Sequence, residues 1–468
     1  MLFIEPRFFL FYAIVFALYW TLRRNGQRKL LLLVASYVFY GAWDARFTLL
    51  LGFSTLFDYL TGLAMARTPN PGRRRLLIAF SVSVNLGLLS IFKYFNFFAD
   101  SFAVLLHSLG VAVNPVTVHI ILPVGISFYT FQSLSYTIDI YRGRMPARRS
   151  LLDYATFVAF FPQLVAGPIV RAYDFLPQLD APRRFADVPV RPALILFFFG
   201  FVKKACVSDN VAPYVDAAFA HAGDYSGPSI VAAVLLYAVQ IYCDFSGYTD
   251  MAIAVAKLLG YDLTINFRQP YFAADIGDFW RRWHISLSSW LRDYLYISLG
   301  GNRGGRLMTC RNLMLTMMLG GLWHGASWNF VIWGTLHGGA LVIHKEYAAR
   351  RSATLAARPL YRAGAWLLTL WWVCFAWIFF RATTLPDAAR IARTFVTLSG
   401  GGTEDIATLA APVILGLALL HWLEARKLIS GPLQRLSPPA FYAAAGTLCG
   451  LMLALVPTTY RPFIYFQF

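Results

Sequence analysis

The chain has 468 residues, 58% of them hydrophobic and only 14% charged, yet Lys and Arg outnumber Asp and Glu by 41 to 23, a formal net charge of +18. A soluble chain needs about 25% charged residues to cover its surface, so this composition, with a mean hydropathy of +0.56, excludes an ordinary soluble protein and makes the bilayer its solvent. Nucleic acid is not an expected partner, because the positive charge lies in short runs between apolar stretches and not on one face of a soluble fold.

About 20 apolar residues are needed for a helix to cross the hydrocarbon core. Stretches of that kind run over residues 7–22, 30–43, 47–65, 76–98, 119–140, 192–206, 229–259, 313–344, 365–380, 407–423 and 440–457, the segment at 313–344 being long enough to bend back on itself. The opening MLFIEPRFFLFYAIVFALYW has no basic residues ahead of its apolar run and no small-residue cleavage site after it, which predicts a retained first span. FPQLVAGPIV at 161–170, interrupted by Pro162 and Pro168, reads as a broken or re-entrant helix. Residues 261–311 are different, mixing Trp, Arg, Asp and Gly, so this stretch either lies outside the bilayer or is an irregular wall buried in protein. No strand-like alternation extends along the chain, and a spanning segment must satisfy its own backbone. The predicted fold is all-α: one polytopic membrane domain over 1–468, about eleven transmembrane helices with re-entrant or interfacial helices, and a catalytic core segment at 261–344.

Basic connectors set the orientation. Arg23, Arg24, Arg28 and Lys29 form one run, Arg67 and Arg73 to Arg75 a second, and Arg142, Arg144, Arg148 and Arg149 a third. They alternate with connectors at 99–118 and 205–228 that hold no Lys or Arg. Placing the basic runs in the cytoplasm puts the N-terminus outside. The five cysteines are an odd number, widely spaced and without metal-ligand spacing, so neither a disulfide framework nor a metal site is expected.

Most of the eight histidines flank connectors or helix ends. His324 is the exception, placed in LGGLWHGASWNFVIWGTLHGG among glycines that let other groups come close. An ionisable residue inside a membrane span is costly and marks function, the alternative being a hydrogen bond between helices. A neutral buried imidazole is the form that a general base needs. His337, thirteen residues on, is expected to pack. A second constellation, DFWRRWHISLSSWLRDYLYISLGGNRGGR, carries Asp278, Arg281, Arg282, His284, Arg303 and Arg306. Its arginines and its GGNRGG turn offer donors to a phosphate, although an orientation loop with an interfacial tryptophan belt explains the same residues. The chain has no GxSxG nucleophile elbow.

These blocks, FWRRWHISLSSWLRDYLYISLGGNR and LGGLWHGASWNFVIWGTLHG, preceded by IYCDFSGYTDMAIAVAKLLG and NFRQPY and followed by RPFIYFQF, resemble those of the membrane-bound O-acyltransferases, in the bacterial branch that contains the alginate O-acetyltransferase membrane subunit. Ser298 stands where that branch usually has a proline before LGGNR. The resemblance implies spans around a central funnel, His324 as the essential intramembrane histidine and His284 as the second characteristic one. It also implies an acyl thioester donor such as acetyl-CoA, with no bound cofactor, and a periplasmic acetyltransferase that passes the acyl group to a polysaccharide. Asp278, Arg281, Arg282, Arg303 and Arg306 are the residues expected around the donor, and Trp323 and Asn329 those lining the tunnel. The alternative function is a transporter of a lipid or sugar that uses His324 as a proton relay, disfavoured by the lack of internal repeats.

Overall fold

A computed structural model describes residues 1–111, 113, 114, 117, 118, 121–457, 461, 463 and 464. His119, the start of the span expected at 119–140 and most of RPFIYFQF lie outside the described residues. Among them the structure is helical, with only two isolated bridges, Tyr225 to Glu404 and Ser226 to Gly401, in place of a sheet. Leaving aside the 3₁₀- and π-segments and the short helices Phe161–Leu164, Ala172–Phe175, Ala353–Ala357 and Ser430–Arg435, the order is α1 (Pro6–Thr21), α2 (Asn25–Gly41), α3 (Arg46–Arg67), α4 (Pro71–Ser108, with a π-turn inside it), α5 (Ile126–Tyr141), α6 (Leu151–Ala159), α7 (Val190–Phe201), α8 (Asp209–Ala220) and α9 (Gly227–Leu258). There follow α10 (Ile276–Arg282), α11 (Ile285–Trp290), α12 (Gly305–His324), α13 (Trp328–Arg350), α14 (Pro359–Arg381), α15 (Leu385–Thr397), α16 (Ala407–Ala425) and α17 (Pro438–Leu455). Six of these, α3, α4, α9, α14, α16 and α17, are long and apolar enough to cross a membrane. The other expected spans are present as helices that are shorter or more polar, and the chain is an all-α polytopic membrane protein.

The chain forms two compact units, one of Met1–Ala193 with Ala252–Thr264 and one of Leu194–Met251 with Ile265–Phe468. In the first, α5 is buried on nearly all sides. It starts at Gly125, where φ is 78° and a Cβ would come within 2.5 Å of the Leu164 carbonyl oxygen, so only glycine admits this approach. Residues 153–172 are buried throughout, and the expected broken helix is there: one turn at Phe161–Leu164, then irregular backbone enclosed by protein. On α3, Asp58 accepts from Ser81 Oγ at 2.8 Å and Asn85 Nδ2 at 2.9 Å, which ties α3 to α4 inside the apolar unit. Burial pushes the Asp153 carboxyl toward its neutral form, but Lys29, 2.7 Å away, and Arg148, 2.6 Å away, outweigh this and hold it below the ordinary carboxylate value.

In the second unit, the core is aromatic and draws Tyr237 and Ile241 from α9, Trp333 from α13, and Trp377 and Phe380 from α14. Close helix packing needs small residues where backbones meet. The 313–344 segment bends as expected, at Gly325 to Ser327, into the hairpin of α12 and α13. A Cβ on Gly321 would sit 2.2 Å from the Phe330 carbonyl oxygen, so the glycines near His324 serve first to let α13 lie against α12. Past α7 the helix widens into a π-stretch, Val202–Ser208, that presents Lys203 and Lys204. Lys204 is buried between Asp209 at 2.7 Å and Asp244 at 2.5 Å, and Lys203 pairs with Asp250. A charge in an apolar interior is tolerated when paired in this way.

Candidate active site

His324 is the last residue of α12, where Gly325 turns extended and Ser327 caps α13 through a 3.2 Å bond from Asn329 N to its Oγ. Its buried ring lies 5.0 Å from Trp323, 5.1 Å from Trp333 and 5.2 Å from Phe380, centroid to centroid. The His284 ring is 6.4 Å away, fully buried. The structure therefore brings together, from 40 positions apart in sequence, the two histidines singled out there.

His284 occupies the break between α10 and α11 in a left-handed conformation, φ 43° and ψ 55°, rare for a side-chain-bearing residue and a mark of a constrained site. A short ladder holds it there. Arg268 N donates to the Arg282 carbonyl at 3.0 Å, and Ile285 N donates to the Asn266 carbonyl at 2.9 Å. The Asn266 side chain reaches into the same break, with Oδ1 3.3 Å from His284 Nδ1 and 3.2 Å from Ser286 N. Phe245 of α9 meets the His284 ring edge-on at 4.6 Å.

A polar cavity of about 720 Å³ lies nearby, lined by Lys203, Tyr242, Asp250, Phe267, Arg268, Gln269, Asp278, Arg281, Arg282, His421 and Glu424. Its Phe267 ring contacts Phe245 at 5.1 Å, and Phe245 contacts His284, so two rings separate the cavity from the histidine pair. Asp278, Arg281 and Arg282, all on α10, reach this cavity. Arg282 Nε is 2.8 Å and Arg281 3.5 Å from the Asp278 carboxylate. Arg303 and Arg306 are not on it: Arg306 pairs with Glu346 at 2.8 Å, and Arg303 belongs to the exposed turn before α12. In that turn the N–H groups of Gly300, Gly301 and Arg303 already donate to Ile297, Tyr296 and Gly300, so these three are not available to a phosphate. Ser298 Oγ donates to the Tyr294 carbonyl at 2.6 Å.

Trp323 packs against both histidines, 5.0 Å from His324 and 6.1 Å from His284 between ring centroids. Asn329 is buried and donates through Nδ2 to the Ala382 carbonyl at 2.8 Å, linking the start of α13 to the end of α14. His337 lies among Phe279, Trp280 and Trp333, with ring separations of 6.0, 5.1 and 4.9 Å, the packed position expected for it. Among the described residues, no group of three or more His, Cys, Asp or Glu is placed to hold a metal ion. Sequence reasoning missed Asn266 and the cavity residues Lys203, Asp250 and His421. Lys203 and Lys204, inside an apolar stretch, were the available signal, since buried charges there come with partners.

The chain thus has helices of membrane length and, in its second unit, a buried pair of histidines and a cavity that carries both signs of charge, features of an integral-membrane enzyme. Residues 143–383 match the model of the MBOAT, membrane-bound O-acyltransferase family. The chain is 40% identical to the probable alginate O-acetylase AlgI of Azotobacter vinelandii, over 98% of each chain. It is 38% identical to the peptidoglycan O-acetyltransferase of Helicobacter pylori, over 86% of this chain and 80% of that one. A teichoic acid D-alanyltransferase of Streptococcus thermophilus is 29% identical over 54% of this chain and 65% of its own length. This chain belongs to the membrane-bound O-acyltransferase family, and it is an O-acyltransferase of the membrane.

Proposed function

We propose that the enzyme takes an acetyl group from a cytosolic thioester, acetyl-CoA, and delivers it through a bacterial inner membrane for O-acetylation of an extracytoplasmic polysaccharide of the alginate type, with a periplasmic acetyltransferase as partner. The carrying observation is the facing pair of His284 and His324, 6.4 Å apart in an aromatic enclosure. The names borne by the most similar relatives support the acetyl group and the polymer, and the basic connectors support an N-terminus outside.

In this reading Arg281 and Arg282 attract the anionic donor at the cavity, with Asp278 as their resting counter-ion. His324 accepts the proton of the acceptor hydroxyl as that oxygen bonds to the thioester carbonyl carbon. The carbon–sulfur bond breaks, and the thiolate takes up a proton as it leaves. The carbonyl end of α12, where His324 sits, favours the positive charge that the ring gains in the step. Trp323, Trp333 and Phe380 keep water from the thioester. His284 orients the reacting groups, Trp323 and Asn329 border the path, and residues 261–344 form the catalytic core of the single membrane domain.

The test is reconstitution of the full chain in vesicles with acetyl-CoA and the partner protein. His324→Ala should abolish CoA release coupled to acetylation while the protein stays folded by thermal melt. Undiminished turnover in that variant overturns the assignment.

A further inference from the structure

The family reading gives His284 no protonation state and Asn266 no role. The hydrogen-bond geometry supplies both. A backbone N–H can only donate, so the Asn266 atom 3.2 Å from Ser286 N is an acceptor, which fixes it as Oδ1 and removes the usual ambiguity between amide oxygen and nitrogen. The same oxygen lies 3.3 Å from His284 Nδ1. An amide oxygen cannot donate, so Nδ1 must carry the proton of that contact. In a neutral imidazole the lone pair is then on Nε2.

Two further observations show that this contact is held for a purpose. His284 keeps a left-handed backbone, φ 43°, that places its ring against Asn266, where a residue free to relax would leave this region. Asn266 itself is 1% exposed, and its Nδ2 has no hydrogen-bond partner among the described residues. A buried amide kept half-satisfied calls for an explanation beyond packing. Its satisfied half is the half that faces the histidine and Ser286.

We infer that Asn266 is a positioning residue that locks His284 in the Nδ1–H tautomer, so that His284 enters the reaction as an acceptor through Nε2, beside His324. The assignment of a tautomer stands on the hydrogen bonds alone, whereas its importance for turnover rests on the acyl-transfer reading above. Orienting groups of this kind act through the ring they hold; for metal-binding histidines their loss costs about 10- to 100-fold, and a loss of that order is expected here.

The experiment uses the full chain with ¹⁵N-labelled histidine in nanodiscs, the His284 signals being assigned by their loss in His284→Gln. Ring ¹⁵N shifts should show His284 protonated at Nδ1 and bare at Nε2. Asn266→Leu should lower kcat about 10- to 100-fold, with the KM for acetyl-CoA changed less than about twofold. Asn266→Asp, which keeps an oxygen for both donors, should restore most of kcat. A proton on Nε2 in the wild type overturns the inference, and so does a folded Asn266→Leu variant with wild-type kcat. Should the Leu variant not fold, the wild-type spectrum and Asn266→Asp decide. A wild-type protein that releases no CoA from acetyl-CoA would defeat the acyl-transfer reading while leaving the tautomer measurement intact.

Discussion

Replacing Arg282 with alanine tests the place of the donor most directly. The side chain is 34% exposed and lies 2.8 Å from the Asp278 carboxylate, so its charge is partly solvated and already shared. A unit charge about 4 Å from a phosphate oxygen contributes roughly 1 kcal/mol in bulk water and roughly 4 kcal/mol at an effective dielectric of about 20. Solvation and the resident carboxylate place Arg282 near the lower end, about 1–2 kcal/mol, equivalent to a rise of about 5- to 30-fold in the donor KM. Arg306 carries the same charge but is 64% exposed, paired with Glu346 and away from the cavity, so Arg306→Ala should change KM less than about twofold. Asp278→Asn should move KM the other way, downward by a few fold, because it leaves the guanidinium to the incoming anion. The assay is initial-rate release of CoA by vesicle-reconstituted enzyme over a range of acetyl-CoA concentrations and at two ionic strengths, since an exposed charge contact weakens with salt. Equal effects at Arg282 and Arg306 would refute the reasoning.

Two other outcomes follow from the structure. His337→Phe keeps a ring among Phe279, Trp280 and Trp333, so thermal stability should stay within about 1.5 kcal/mol and turnover within about twofold of wild type; a tenfold loss of turnover would make His337 a proton carrier. Asp153 is more acidic in the folded chain than in the unfolded one, because Lys29 and Arg148 favour its charged form more than burial opposes it. The unfolded chain therefore binds the extra proton, and the stability that Asp153 contributes at neutral pH is lost as pH falls through the carboxylate range, below about 4. Melting temperatures measured from pH 7 to pH 3 should fall more steeply for the wild type than for Asp153→Asn, and parallel curves would disprove the linkage.

Hydropathy located the long helices well. The stretches at 47–65, 229–259, 365–380 and 407–423 became α3, α9, α14 and α16, because burial in lipid depends on composition over a whole segment. It misjudged ends where backbone conformation decides. The apolar run at 76–98 continues to Ser108 through a π-turn at Ser90–Tyr94, and α5 waits until Ile126 because Gly125 must first turn left-handed. His324 was legible because an ionisable residue in apolar sequence is conspicuous, whereas His284, in a basic stretch, stood out only through the family resemblance. Asn266 was not legible, since an Asn in a polar connector carries no periodic signal, and its partner is 18 residues away across a ladder visible only in three dimensions. Nor could composition separate Arg281 and Arg282 from Arg303 and Arg306. All four belong to one basic stretch, and only the position of α10 against the cavity, with Glu346 beside Arg306, tells them apart.

The contrast between a greasy chain and its +18 charge resolves into charges with different work. Arg28 is buried and donates to the Leu22 carbonyl at 2.8 Å, and Arg74 donates to the Ile140 and Tyr141 carbonyls at 3.0 Å, so arginines of the basic runs close helix ends. Lys203 and Lys204 meet carboxylates at once, as permanent charges in an apolar setting must. His324 lies among the rings of Trp323, Trp333 and Phe380, all within about 5 Å. Aromatic rings at this distance favour a cation by about 1–2 kcal/mol when water is excluded, far less than a buried carboxylate does. In the proposed reaction these aromatic walls favour the imidazolium of His324 by that modest amount as it forms, and the proton it takes goes on to the departing sulfur.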